Sequence, residues 1–217
     1  MKGLIMSKIN VAVVGYGNIG KYVIDALESA KDFSIAGIVR RQGRPIPGSP
    51  YRVVSDIRQL ADVDVAILAV PSRSVEEYAR DILSLGINTV DSFDIHSEIA
   101  PLKNRLAELG KQHNASAIIS AGWDPGTDSI LRTIFLAAAP KGVTYTNFGP
   151  GMSMGHSTVV KNFVGVKDAL SVTIPTGTGV HRRMVYIEVE EGHQFNDIKE
   201  RILKDEYFIM MKPLSPR

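Results

Sequence analysis

Two aspartates stand where their carboxylates could act on a bound molecule. Asp94 follows a strand predicted at residues 87–90, and Asp124 lies in Ala121-Gly-Trp-Asp-Pro-Gly126, which holds the only tryptophan of the chain. Paired carboxylates can hold an ammonium group, and hydride can leave the carbon beside an amine only once that amine is neutral. We therefore predict that Asp94 and Asp124 orient an amine and a water molecule and move protons. Each could instead cap a helix, because both precede stretches with helical period.

A glycine pattern near the N-terminus predicts where a nucleotide cofactor binds. An apolar run at residues 11–14 leads into Gly15-Tyr16-Gly17-Asn18-Ile19-Gly20. In a strand, turn and helix with this spacing, the first glycine permits the turn, the second lets backbone approach a pyrophosphate, and the third lets the helix pack on the strand. The helix N-terminus attracts the phosphate. We predict a dinucleotide site rather than a purely structural turn. The helix face expected to be apolar comprises Ile19, Val23, Ala26, Leu27 and Ala30.

Arginines after the second predicted strand favour NADP over NAD. An acidic residue that binds the ribose of NAD is expected about 20 residues past the glycines. No Asp or Glu occurs between Asp32 and Asp56, whereas Arg40, Arg41 and Arg44 do. A guanidinium group suits a 2′-phosphate by charge and by bidentate geometry. The alternative is that these arginines are only solvated.

The alternation of strands and helices predicts the fold class. Strands are expected at residues 11–14, 33–39, 52–54, 63–70, 87–90 and 117–120, and helices after the glycines and at residues 75–85, 97–113 and 127–139. The proline-rich segment 43–50 is expected to be a loop, and Ser72 or Ser74 to cap the following helix. This pattern predicts a doubly wound parallel α/β sheet of Rossmann type, with ligands at the carboxyl ends of its strands. We expect a dinucleotide-binding domain at residues 1–141.

For residues 142–217 we predict a partial α+β domain that serves substrate binding and dimerisation. It would contain a strand at residues 143–147, a glycine-rich loop at 148–156 and a hairpin formed by residues 166–174 and 183–189. The loop could cradle a carboxylate or be a plain turn. Arg182 or Arg183 could bind a substrate carboxylate. His156 and His181 have no partner at metal-ligand spacing, so no metal site is expected.

Composition excludes several classes of function. The chain has 217 residues, 44% of them apolar and 22% charged, with a net charge of +2 and no cysteine. No disulfide, thiolate nucleophile or Cys-ligated zinc is therefore expected. The small net charge gives no indication of a nucleic-acid partner. No apolar run reaches the roughly 18 residues that a membrane span needs. We expect a cytoplasmic protein.

Five segments together resemble a known family. They are Gly-Tyr-Gly-Asn-Ile-Gly, Val-Arg-Arg, Thr-Val-Asp-Ser-Phe-Asp, Ser-Ala-Gly-Trp-Asp-Pro-Gly and Phe-Gly-Pro-Gly-Met-Ser-Met-Gly-His. In these segments the sequence resembles the meso-diaminopimelate D-dehydrogenases, which are NADP-dependent amino-acid dehydrogenases of bacterial lysine and cell-wall precursor synthesis. The resemblance implies an oxidative deamination at the D-centre of meso-2,6-diaminopimelate, which gives L-2-amino-6-oxopimelate and ammonia. It also implies a small-molecule amino-acid substrate and a homodimer.

The resemblance assigns site residues one by one. The NADP site would be lined by the glycine loop and by Val39, Arg40, Arg41, Ala69, Val70, Pro71, Ser72, Ser92, Phe93, Asp94, Ala121, Gly122, Trp123, Asp124 and Pro125. The amino acid would contact Asp94, Trp123, Asp124, Phe148, Met154, Gly155, Thr173 and Arg183.

The resemblance also raises an alternative. Family members are expected to continue past the point where this sequence stops, with a further His and Asn for the distal amino-acid centre. The sequence could therefore describe a truncated, inactive NADP-binding fragment. A non-catalytic NADP sensor is disfavoured, because a sensor would not need paired aspartates facing the nicotinamide.

Overall fold

The computed structural model describes residues 8–142, 151–177 and 180–209. By its internal contacts the chain divides into two compact units, Met1–Ala137 and Ala138–Arg217. The sequence-based boundary after residue 141 lies close to this division and remains a prediction.

The first unit is built on a six-stranded parallel sheet. Its strands are β1 (Ile9–Val14), β2 (Phe33–Val39), β3 (Val53–Val54), β4 (Val65–Leu68), β5 (Asn88–Asp91) and β6 (Ala117–Ile118). Their spatial order is β3-β2-β1-β4-β5-β6, and every neighbouring pair is parallel. This is the order of a doubly wound dinucleotide-binding fold, with the reversal of strand order between β1 and β4. The predicted fold class is confirmed.

Four helices accompany the sheet, namely α1 (Asn18–Ser29), α2 (Ser72–Leu83), α3 (Ile99–His113) and α4 (Thr127–Ala138). Between β2 and β3 the chain forms only a 3-10 turn, Arg41–Gly43, and an irregular segment. The absence of a crossover helix there was expected from the prolines. Across the three described ranges, no helix combines the length and apolar character needed to cross a bilayer.

The core covers both faces of the sheet. Successive residues of a strand point to opposite faces, so Val11 and Val13 pack with α1 while Ala12 and Val14 pack with α2 and α3. This two-sided burial explains why β1 is apolar throughout.

The buried face of α1 differs from the predicted one. Gly20, Ile24 and Leu27 are buried, whereas Ile19 is 60% exposed and Ala26 is also exposed. The close approach at Gly20 decides the orientation of the helix, so the face is centred on Ile24 and turned away from Ile19.

The expected serine cap of α2 is wrong. The helix begins at Ser72 and Pro71 occupies the N-cap position, with no side-chain capping bond. The Ser72 hydroxyl is directed elsewhere, to Asp94.

The described residues of the second unit form a three-stranded antiparallel sheet and three helices. The strands, in the order β7-β8-β9, are β7 (Gly151–Met152), β8 (Val166–Gly177) and β9 (Val180–Val189). The helices are α5 (Met154–Lys161), α6 (Phe195–Lys204) and α7 (Glu206–Ile209). The predicted hairpin is thus confirmed. Val160, Val166, Ile198 and Ile202 form the core of this unit. The strand expected at residues 143–147 lies outside the described residues.

Candidate active site

The glycine loop has the geometry that a pyrophosphate site requires. Gly15 has a φ of +98°, and a Cβ there would overlap the carbonyl oxygen of Ala69. A Cβ on Gly20 would overlap the carbonyl oxygen of Gly15, so helix and turn can pack only without a side chain. A Cβ on Gly17 would meet no atom within 4 Å. Gly15 and Gly20 are therefore packed against protein backbone, whereas the space beside Gly17 is free. Gly17 lies at the N-terminus of α1, where a phosphate would bind.

Backbone hydrogen bonds place the arginines beside this loop. The Gly15 amide donates to the carbonyl of Val39 at 2.8 Å, and the Arg40 amide donates to the carbonyl of Val54 at 2.9 Å. Arg40 is half-buried and Arg41 is exposed. Within the described part of the chain, no carboxylate forms an ion pair with Arg40 or Arg41. Both guanidinium groups are therefore available for an anion next to the glycine loop, which fits a 2′-phosphate.

Asp94 does not cap a helix. The carboxylate accepts a 2.5 Å hydrogen bond from the Ser72 hydroxyl, and the side chain is half-buried. The following 3-10 turn and α3 have Ile95 and Glu98 at their N-cap positions, and neither has a side-chain capping bond. The bond to Ser72 joins the loop after β4 to the loop after β5, at the carboxyl edge of the sheet.

Asp124 lies in the loop that follows β6. The Asp124–Pro125 peptide bond is cis, and both Asp124 and Trp123 are exposed. The helix α4 begins three residues later, after Gly126, so Asp124 does not occupy its N-cap position. A Cβ on Gly122 would lie 3.1 Å from Cβ of Ser92, which shows that the two aspartate-bearing loops run side by side.

The other residues predicted to line the cofactor site lie along the same edge. Ala69, Val70 and Pro71 follow β4, and the Ala69 amide donates to the carbonyl of Val14 at 2.7 Å. Ser92 is exposed after β5, whereas Phe93 is buried in the core. A contact between Phe93 and a cofactor would therefore come from its backbone.

Sequence reasoning missed Asp91, the last residue of β5. Its side chain is only 2% exposed, and Oδ1 accepts hydrogen bonds from the amides of Phe93 at 2.9 Å and Ser120 at 3.0 Å. Burial raises the pKa of Asp91 above its usual value, and these two amides oppose that shift. The strand was predicted to end at residue 90, one residue before Asp91, so the burial of this carboxylate was not expected from the sequence.

In the second unit, Thr173 and Arg183 are cross-strand partners. They lie opposite each other on β8 and β9, and the guanidinium donates to the Thr173 hydroxyl at 3.1 Å. Thr173 is buried, and Nε of Arg183 is buried without a hydrogen-bond partner among the described residues. Burial lowers the pKa of Arg183, while the nearby Tyr207 acts in the opposite direction. A half-buried guanidinium with an unused donor can bind a carboxylate.

His156 is held within this unit. Its Nδ1 lies 2.7 Å from the Ser153 hydroxyl, and its ring packs against Tyr207 with a centroid distance of 5.0 Å. A Cβ on Gly155 would lie 3.6 Å from the Tyr207 hydroxyl oxygen, so Gly155 belongs to the same cluster. These contacts hold the His156 ring in the second unit.

Two predicted substrate contacts fall outside the part of the chain that the structure describes. Phe148 lies outside the described residues, as does the side chain of Met154. The side chain of His181 is likewise outside them. Among the described residues, no group of three or more His, Asp or Glu side chains could hold a metal ion.

Comparison with known proteins identifies the family. The family model for the diaminopimelic acid dehydrogenase C-terminal domain matches residues 122–181, and the model for the oxidoreductase family NAD-binding Rossmann fold matches residues 9–90. A meso-diaminopimelate D-dehydrogenase of Bacteroides fragilis is 60% identical over 207 residues, which cover 94% of this chain and 69% of that protein. The chain belongs to the meso-diaminopimelate D-dehydrogenase family. The resemblance inferred from the sequence is thereby confirmed.

Solved structures of similar proteins agree with this assignment. An engineered D-amino acid dehydrogenase bound to NADP⁺ has a TM-score of 0.80 at 27% identity, covering 94% of this chain and 69% of its own. The diaminopimelate dehydrogenase of C. glutamicum in complex with DAP has a TM-score of 0.76 at 29% identity, covering 92% and 67%. Members of the meso-diaminopimelate D-dehydrogenase family thus share the fold described here.

Proposed function

We propose that this chain catalyses the NADP-dependent oxidative deamination of the D-centre of meso-2,6-diaminopimelate. The observation that carries the proposal is the placement of Asp94 and Asp124 on adjacent loops at the carboxyl edge of a dinucleotide-binding sheet. NADP⁺ bound at the glycine loop would supply the hydride acceptor for Cα, and hydrolysis of the resulting substrate imine would release ammonia and leave L-2-amino-6-oxopimelate. The family relatives support this choice, since they include a protein bound to NADP⁺ and one bound to DAP.

Asp94 and Asp124 act on the amine and the water. The substrate amine is an ammonium group at neutral pH and must lose a proton before Cα can be oxidised. A carboxylate accepts hydrogen bonds from an ammonium group and can take that proton. The second carboxylate orients the water that attacks the imine. Ser72 fixes the orientation of Asp94 through its 2.5 Å hydrogen bond.

Other side chains bind the two ligands. Arg40 and Arg41 bind the 2′-phosphate that distinguishes NADP from NAD. Arg183, already bonded to Thr173, has a buried Nε through which it binds a carboxylate of the amino acid. The remaining amino-acid contacts in this proposal are Trp123, Phe148, Met154 and Gly155.

The proposed enzyme is a cytoplasmic homodimer. One face of the antiparallel sheet supports the dimer, because Leu170, Ile174, Met184 and Tyr186 are all exposed there. An exposed apolar patch of this kind marks a site of protein association. Sedimentation velocity of the purified protein tests the dimer, and a monomer at micromolar concentration would contradict it.

The activity is tested by following NADP reduction spectroscopically with meso-diaminopimelate as substrate. Asp94→Asn and Asp124→Asn should each lower kcat at least about tenfold, the usual scale for a lost acid-base group, with the melting temperature nearly unchanged. Asp25→Asn is the matched control, because Asp25 is exposed on α1 and far along the chain from either loop. Absence of turnover by the parent chain, or full activity in both variants, would contradict the proposed function.

A further inference from the structure

A buried carboxylate lies directly beneath the two loops that carry Asp94 and Asp124. Asp91 ends β5, three residues before Asp94, and is 2% exposed. Three hydrogen bonds join it to backbone amides of these loops. Oδ1 accepts from Phe93 and Ser120, and the Asp91 carbonyl accepts from Ala121 at 2.7 Å.

These bonds fix both loops at their first residues. Phe93 immediately precedes Asp94, while Ser120 and Ala121 begin the segment that contains Asp124. One carboxylate oxygen is therefore shared by the loop after β5 and the loop after β6. Because β6 pairs with β5 over only two residue positions, Thr89 with Ala117 and Val90 with Ile118, the sheet itself does little to fix the second loop.

The local backbone needs such an anchor. Ser120 has a φ of +57°, a left-handed conformation that is unfavourable for a residue with a side chain. Such a conformation persists only where surrounding interactions hold it, and the Ser120 amide is held by Asp91. This places the strained residue four positions before Asp124.

The carboxylate is poorly suited to a purely structural task. Oδ2 of Asp91 has no hydrogen-bond partner among the described residues, and neither has the buried hydroxyl of Ser120. An unpaired buried polar atom lowers stability, and an apolar residue would avoid that loss. What an apolar residue could not do is accept hydrogen bonds from two loops at once.

We infer that Asp91 is a positioning residue that aligns Asp94 and Asp124 by tethering both of their loops. This inference rests on the proposed function for its kinetic consequence, though the tether itself is independent of it. Imprecise placement of catalytic groups lowers the rate steeply, by as much as about a hundredfold for a displacement near 1 Å. The role of Asp91 is to accept hydrogen bonds, so an amide oxygen can replace it.

Two variants separate this role from general support of the fold. Asp91→Ala removes the oxygen that accepts from the Phe93 and Ser120 amides, whereas Asp91→Asn keeps one. Trp123 supplies a direct probe of the second loop, because it is the only tryptophan of the chain and is 62% exposed. Time-resolved fluorescence anisotropy of Trp123 reports nanosecond motion of the segment that carries Asp124.

Asp91→Ala should lower kcat with meso-diaminopimelate, measured at saturating NADP, at least about tenfold. Its Trp123 anisotropy should decay faster, whereas Asp91→Asn should match the parent protein in both kcat and anisotropy. Parent-like kcat and anisotropy in Asp91→Ala would overturn the inference.

The remaining outcomes separate a failure of the Asp91 tether from a failure of the proposed function. If Asp91→Ala no longer binds NADP, the result for Asp91→Asn decides. A parent-like kcat in Asp91→Asn would support the tether. A lowered kcat in Asp91→Asn with intact NADP binding would overturn it. If the parent chain itself shows no turnover, the proposed function fails. The anisotropy comparison then still tests the tether.

Discussion

The Ser72 hydroxyl donates a 2.5 Å hydrogen bond to Oδ1 of Asp94, across 22 positions of sequence. Ser72 is the first residue of α2 and Asp94 lies in the loop after β5, so the bond joins two segments at the carboxyl edge of the sheet. A serine in the first turn of a helix usually bonds to a nearby backbone amide. Here the hydroxyl is committed to a carboxylate that we place in the reaction.

Ser72→Ala should lower turnover while leaving the fold intact. A hydrogen bond to a charged acceptor contributes about 1.5–3 kcal/mol, so kcat should fall about tenfold or more if the bond is fully used in the transition state. The measurement is steady-state kinetics at saturating NADP, with thermal melting of the same sample. Ser74→Ala, two residues along α2, should retain parent kcat, and an equal loss in both variants would count against a specific role for Ser72.

Arg40→Ala combined with Arg41→Ala should weaken NADP binding and spare NAD. In the proposed site each guanidinium supplies charge-assisted hydrogen bonds to the 2′-phosphate, so the loss should be about ten- to a hundredfold in affinity. Titration of the two cofactors against the same protein measures it. Lys103→Ala with Lys111→Ala removes the same charge from α3 and serves as the control. Equal weakening of NADP and NAD by the arginine pair would refute the assignment.

The strands and the glycine turn could be predicted because each depends on local sequence. The sequence of β1 does not alternate between apolar and polar residues. It could still be predicted as a strand, because a run that is apolar at every position is typical of a strand buried on both faces. The spacing of Gly15, Gly17 and Gly20 predicts the geometry of the turn. The structure agrees, with a positive φ at Gly15 and close backbone approaches at Gly15 and Gly20.

Other features depend on distant partners and could not be predicted. The face of α1 is set by the contact of Gly20 with the glycine turn, which turns Ile24 inward and leaves Ile19 exposed. The Ser72 hydroxyl does not cap α2 because it is bonded to Asp94, which is remote in sequence but lies within hydrogen-bond distance. The burial of Asp91 follows from its place at the end of β5, beside Leu68 of β4, which the sequence alone did not show.

Two glycine substitutions should separate cofactor binding from folding. Gly20→Ala should destabilise the chain by roughly 1–3 kcal/mol, because its Cβ would overlap the Gly15 carbonyl oxygen. Gly17→Ala meets no protein atom within 4 Å, so its melting temperature should change little. The added methyl group would occupy the space where the pyrophosphate approaches, so NADP affinity should fall. Calorimetry and NADP titration on both variants measure these effects, and strong NADP binding by a stable Gly17→Ala would contradict the site.

Asp91 should make the stability of the chain depend on pH in the acidic range. Burial raises the pKa of Asp91 above its ordinary value near 3.9, against the smaller opposing effect of the Phe93 and Ser120 amides. The folded chain therefore holds this proton more tightly than the unfolded chain. The resulting stabilisation is fully present below the unfolded pKa and is lost as pH rises through the folded pKa.

Asp91→Asn cannot titrate, so its free energy of unfolding should lack this decline. The difference in unfolding free energy, variant minus parent, should rise as pH increases from about 3.9 to the raised pKa of Asp91 and then stay constant. Urea unfolding at a series of pH values measures the difference, and its pH dependence matters rather than its absolute value, since the buried amide adds donors of its own. Asp25→Asn, at an exposed position, is the control. A difference that falls with rising pH would mean that the two amides outweigh burial, and the pKa of Asp91 would then be lowered in the folded protein.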